Sequence, residues 1–204
     1  MTSKVVSAAV VLAVLLVGPA AAQGKDPAHR AAQQRRALSR HLPKGKVFTS
    51  GGRQYRIVGG LRAVLRAPEE PTHQTLARAG ATAADLVETK GNHLVIRQAS
   101  IPGPVAAQMS VNDTVTLPVA VSARTGNFAV VPGSITVRLE DAADAGAVAE
   151  AHGVRLILSA PHLSTAFYQV ASGQDVQAAA AALGKDFRVV SAEIEIKEHF
   201  DEPQ

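Results

Sequence analysis

From residue 134 onward, apolar and polar positions follow clean periods. Ile135, Val137 and Leu139 alternate with Ser134, Thr136 and Arg138, which predicts a half-buried strand. Asp141 and Asp144 are capping candidates for a helix running to about His152, with Ala145, Val148 and Ala149 on one face and Gly153 as its stop. His152, just before that glycine, suits a helix C-terminus better than a catalytic role. Val154, Leu156 and Leu158 alternate in a second predicted strand, and Thr165 to Val170 forms a third after Pro161. Ser172 and Asp175 open a second helix, whose Val176, Ala179, Ala180 and Leu183 recur at helical spacing up to Gly184. Residues 189–196 read as the fourth strand, with Val190, Ala192, Ile194 and Ile196 on one face and Ser191, Glu193 and Glu195 on the other. The expected fold class is α+β. This C-terminal part has the β-α-β-β-α-β order of a ferredoxin-like unit, in which both helices cover one sheet face.

The preceding stretch is β-rich. Val47–Thr49 and Tyr55–Val58 flank Gly51-Gly52, a hairpin signal, and Gly59-Gly60 is expected to turn the chain into a third strand, 61–65. Residues 75–90 suggest one or two short helices broken at Gly80, with Thr82 capping the second over 83–87. His93–Arg97 follows as a strand, 100–116 as an irregular stretch, and 118–122 with 128–131 as another hairpin. Pro132-Gly133 is the best domain boundary. The expected organisation is a β-rich N-terminal domain over 46–131 and a second domain over 134–204, preceded by a basic polar leader over 23–45.

The first 22 residues have a different character. Lys4 precedes an apolar run from Val5 to Val17, Gly18-Pro19 ends it, and Ala20-Ala21-Ala22 supplies small side chains for a signal peptidase. The run is shorter than the roughly 20 residues of a membrane span. Residues 1–22 therefore read as a signal peptide, with a periplasmic or secreted mature protein starting at Gln23 and no membrane span.

Charge and composition narrow the function classes. Among the 204 residues, Cys is absent, which excludes disulfides, thiolate metal sites and a Cys nucleophile. Aromatic residues make up 3%, too few for a base-stacking surface, so no nucleic-acid partner is expected. The seven His form no HxxxH or HExxH pair, and no GxSxG, Walker or GxGxxG motif occurs; no catalytic residue, metal or cofactor is assigned and the chain reads as a non-enzyme. The net charge of +4 is unevenly spread: 25–66 carries 11 Lys/Arg against the single acid Asp26, whereas 134–204 carries 11 acids against 5 basic residues. One reading is thus an envelope protein that holds anionic surfaces through 25–66. The other places Glu193 and Glu195 on an open sheet face, as solvated charges or as acceptors for helix N-termini of a partner.

The C-terminal part resembles the propeptides of subtilisin-family serine proteases. The residues carrying this are Ile135-Thr136-Val137-Arg138-Leu139, the turn Ala151-His152-Gly153-Val154, and Leu183, Asp186, Val189 and Glu193, which fit Leu-x-x-Asp-x-x-Val-x-x-x-Glu. The resemblance covers roughly the last 70 residues. Because no protease domain follows, it is closest in kind to the separately encoded external chaperones and inhibitors of secreted subtilases. It implies a subtilisin-family serine protease as partner, with the open sheet face docked on two surface helices of the enzyme. It also implies that the tail enters the substrate cleft like a product, through Phe200, Asp201, Glu202, Pro203 and Gln204. The tail from Lys197 has no alternation and no cap, and is expected to be extended and mobile.

Overall fold

The computed structural model describes residues 33, 35, 37, 44–98, 109–111 and 114–198. The expected signal peptide, most of the leader and tail residues 199–204 lie outside them. Two sheets organise the chain. The first holds β1 (Lys44–Ser50), β2 (Arg53–Leu65), β3 (Leu86–Lys90), β4 (His93–Arg97), β5 (Met109–Val111), β6 (Thr114–Ser122) and β7 (Phe128–Val130). Its order is β3-β4-β2-β6-β5, with β1 also on β2 and β7 also on β6.

β1 and β2 meet through Gly51 and Gly52, with φ of 54° and 70°. Two successive left-handed residues give the twist a tight hairpin needs, and only glycine adopts both without strain. The expected turn at Gly59-Gly60 is not a turn. β2 runs through it as one 13-residue strand. Gly60, at φ 79°, absorbs a register shift between Ile57 and Arg62 against β6. The two halves of β2 then serve different neighbours, β1 before the glycines and β4 after them.

Between β2 and β3 the helical content is smaller than the pattern suggests. A seven-residue helix α1 (Thr72–Arg78) ends before Gly80, and a single 3₁₀ turn follows at Ala83–Asp85. Thr82 does cap that turn: its backbone N–H donates to Asp85 Oδ2 at 2.9 Å, and its hydroxyl donates to the same oxygen at 2.8 Å. The chain then becomes β3 at Leu86, where it pairs antiparallel with β4 and its side chains are half-buried except for the exposed Thr89.

The second sheet holds β8 (Ser134–Leu139), β9 (Arg155–Ala160), β10 (Thr165–Gln169) and β11 (Val189–Ile194) in the order β11-β8-β10-β9, antiparallel throughout. Helix α2 (Ala145–His152) links β8 to β9 and α3 (Val176–Leu183) links β10 to β11. Asp175 caps α3 by accepting from the backbone N–H of Gln177 and Ala178. Gly153 ends α2 at φ 61°. Ile135, Val137, Leu139, Ala166 and Tyr168 face Val148, Val176 and Leu183 in the largest buried apolar cluster. The Tyr168 hydroxyl is satisfied by donating to Ala145 O at 2.9 Å.

That cluster also contains Tyr55, Ile57, Ala120, Ala129 and Val131 from the first sheet. The chain therefore passes between the sheets at residues 131–133 with this cluster shared, while the first sheet keeps two apolar clusters of its own, around Phe128 and around Leu94.

Two side-chain assignments differ from the simple alternation. In β9 the pairing shifts between Phe167 and Tyr168, so Leu156 opposes Tyr168 and Leu158 opposes Phe167. The extra residue, Ile157, turns Leu158 outward to 57% exposure, away from the face that holds Leu156. In β11 a shift between Val189 and Ser191 puts Val189 in the core and leaves Val190 49% exposed. Ala192 and Ile194 keep the expected inward face, but Ile196 lies beyond the strand.

Candidate docking face

The sheet face opposite α2 and α3 can be read row by row from the pairing. Glu193 on β11 opposes Thr136 on β8, which opposes Phe167 on β10, which opposes Leu158 on β9. Because paired residues in a sheet project to the same side, these four cross the open face from an acid at one edge to an apolar side chain at the other. The next row is Ser191, Arg138, Thr165 and Ala160. Phe167 is half-buried and Leu158 exposed, so the β9 side of the face is apolar.

At the β11 edge, the face meets the β1–β2 turn. The Gly51 backbone N–H donates to Glu193 Oε2 at 3.1 Å. One oxygen of a carboxylate expected to be solvated or to meet a partner's helix N-terminus thus accepts from a hairpin turn of the same chain. Glu193 and Glu195 line a cleft of about 450 Å³ with Ser50, Arg53, Tyr55 and Glu198. Glu193 is exposed and Glu195 half-buried.

Glu198 is the residue that reading the sequence missed. After β11 the chain does not leave the fold: Lys197 and Val130 exchange backbone hydrogen bonds of 2.8 and 2.9 Å. One residue on, the Glu198 side chain is only 6% exposed. Its Oε2 accepts from the Tyr55 hydroxyl at 2.8 Å and lies 3.6 Å from Arg53 Nη1, and its Oε1 accepts from Thr125 Oγ1 at 3.2 Å. Lys90 Nζ donates to its backbone oxygen at 3.3 Å. The Tyr55 phenol is pushed up by burial first, then by this hydrogen bond and the carboxylate charge. Lys197 and Glu198, expected to belong to a mobile tail, are thus held in the fold. Phe200, Asp201, Glu202, Pro203 and Gln204 fall outside the described residues.

At the far end of the sheet, Asp186 of the family-like pattern ties the α3–β11 connection to α2. Arg188 donates to it from Nε at 2.9 Å, from Nη2 at 2.6 Å and from its own backbone N–H at 3.0 Å, and His152 Nε2 lies 2.8 Å away. These bonds, Arg188's first, hold the Asp186 carboxyl far below the usual carboxylate range. His152 thus has a structural partner in addition to its place at the helix end.

The basic segment spends several of its charges internally. Arg35 Nη1 lies 2.7 Å from Glu88, Arg53 pairs with Glu198, and burial lowers the pKa of Arg62. Among the described residues, no group of three or more His, Cys, Asp or Glu is arranged to hold a metal ion. No helix among them is long and apolar enough to cross a membrane.

The family model for the Open reading frame 2 N-terminal domain matches residues 43–203, spanning both sheets. The chain belongs to that family. Among solved structures it is similar to a chain in the crystal structure of the Aeromonas sobria serine protease in complex with the chaperone ORF2. The identity is 24%, and the match covers 48% of this chain and 99% of that one at a TM-score of 0.36. A search of curated proteins found no match.

Proposed function

We propose that this protein is an exported chaperone and inhibitor of a secreted subtilisin-like serine protease, not itself an enzyme. The observation that carries this reading is the second sheet. Its strand order and helix placement suit a ferredoxin-like propeptide unit, with the helices on one face and the Glu193–Thr136–Phe167–Leu158 row on the other. The sequence resemblance to subtilase propeptides falls on the same unit. The family name is also that of the chaperone in the Aeromonas sobria complex.

In this reading the open face lies on two surface helices of the protease. Leu158 and Phe167 supply apolar contact, and Glu193 and Glu195 meet helix N-terminal donors. The tail residues Phe200 to Gln204 enter the substrate cleft on the non-primed side. One binding event then does two jobs. It stabilises the native enzyme by mass action while occupying its cleft. Residues 134–204 form the docking unit, and 46–131 a supporting β-rich domain.

The test is to express the full chain with a secreted subtilisin-like protease and look for a co-purifying complex that is inactive on a peptide substrate. N-terminal sequencing of the exported form of this chain should begin near Gln23. Glu193→Ala with Glu195→Ala should weaken the complex by about 0.3–2 kcal/mol for each lost carboxylate at a helix N-terminus. Recovery of the chain without any protease, together with full protease activity in the mixture, would sink the reading.

A further inference from the structure

A carboxylate close to the end of a strand normally points into water, where it costs nothing. Glu198 does the opposite. Its side chain is 6% exposed and is met by two separate parts of the first sheet, Tyr55 on β2 and Thr125 in the β6–β7 turn, while Lys90 at the end of β3 holds the backbone oxygen of the same residue. Burying a carboxylate is unfavourable unless charge and hydrogen bonds compensate it, and here a phenol, a hydroxyl and the nearby Arg53 guanidinium do so. The residue before it is fixed by a two-way backbone bridge to Val130. None of these partners belongs to the second sheet.

We propose that the N-terminal β-domain is a clamp for the root of the cleft-binding tail, with Glu198 as the positioning residue that fixes the point from which that tail starts. The inference rests on the proposed cleft insertion. It assigns the first domain a role that sheet docking does not require. A tail held at its root needs less ordering on entering a protease cleft, so it binds more tightly and in one register. Glu198 makes this contribution without touching the enzyme.

The test has an arm that needs no protease. The chain contains no cysteine, so His199→Cys gives a single site for a nitroxide spin label. The clamp predicts a restricted label in the otherwise unchanged protein and a mobile one once Glu198→Ala is added. Equal mobility in both overturns the clamp.

The second arm is a double-mutant cycle on inhibition of a secreted subtilisin-like protease. Glu198→Ala should raise the inhibition constant about tenfold, the cost of re-ordering roughly one backbone residue. In a chain lacking 200–204 the same substitution should change affinity less than twofold, because no tail remains to position. An effect that persists undiminished without the tail makes Glu198 merely structural and overturns its positioning role. Tyr55→Phe, which removes one donor and keeps the buried ring, should move the constant in the same direction by a smaller factor, guarding against misfolding of the alanine variant. A mobile label on Glu198→Ala with no inhibition by the parent chain would instead remove the protease reading and leave the clamp standing.

Discussion

Leu158 offers a quantitative handle on the open face. Complete burial of a leucine side chain stabilises by about 1.5–3 kcal/mol, and 57% of Leu158 is still exposed in the fold. Docking can therefore gain roughly half of that figure, about 1–1.5 kcal/mol, from this side chain alone. Leu158→Ala should remove most of the gain and weaken the protease complex by about fivefold. Leu158→Glu should weaken it by about tenfold or more, since it also buries an uncompensated carboxylate beside Phe167. The folded chain itself should be little affected, because less than half of the side chain is buried; a stability loss of about 1 kcal/mol or less is expected. Titration calorimetry against the protease reads the first quantity and urea unfolding of the isolated chain the second. If both variants bind within twofold of the parent, the β9 side of the face is not in the interface. If they instead unfold the chain, Leu158 belongs to the core and the bulge assignment is wrong.

Two further outcomes concern stability. Asp186 has a carboxyl held well below its unfolded value, so its stabilising contribution is complete above the ordinary carboxylate pKa of about 4 and is lost as pH falls below it toward the depressed folded value. Asp186→Asn should therefore lower stability at neutral pH and flatten its decline on acidification; parallel acid-unfolding curves for the two proteins would contradict this. A fragment of residues 134–204 loses the cover of Tyr55, Ile57, Ala120, Ala129 and Val131, so it should show weak circular dichroism alone and gain structure when the protease is added. No gain in either condition counts against 134–204 as the docking unit.

The second sheet was largely legible from the sequence because its signals are local. Alternation at Ile135, Val137 and Leu139, the Asp175 cap and the Gly153 stop each act within a few residues. The failures are places where a partner strand decides. Alternation assumes one residue per pleat, so it cannot foresee that Ile157 is inserted and that Leu158 changes face. Gly59-Gly60 looks like a turn to any local rule, yet pairing with β6 and β4 carries β2 through it.

The candidate site divides the same way. Period two marked Glu193 and Glu195 as candidates, but Glu195 lies just past the end of β11 and the acceptance of the Gly51 N–H by Glu193 spans 142 residues. Glu198 sits in a stretch with no pattern, and its partner Tyr55 is 143 residues away, so nothing local marked it. The remaining cue was not local: an acid a few residues beyond the last strand in a chain whose segment 25–66 is rich in Arg.

The central claim, that one face docks while the tail blocks the cleft, is tested most directly by deleting residues 200–204 and measuring binding and inhibition on the same protease sample. The account predicts a complex that still forms through the sheet face, with inhibition weakened sharply because the subsites are empty. A truncated chain that inhibits as well as the full chain would contradict it.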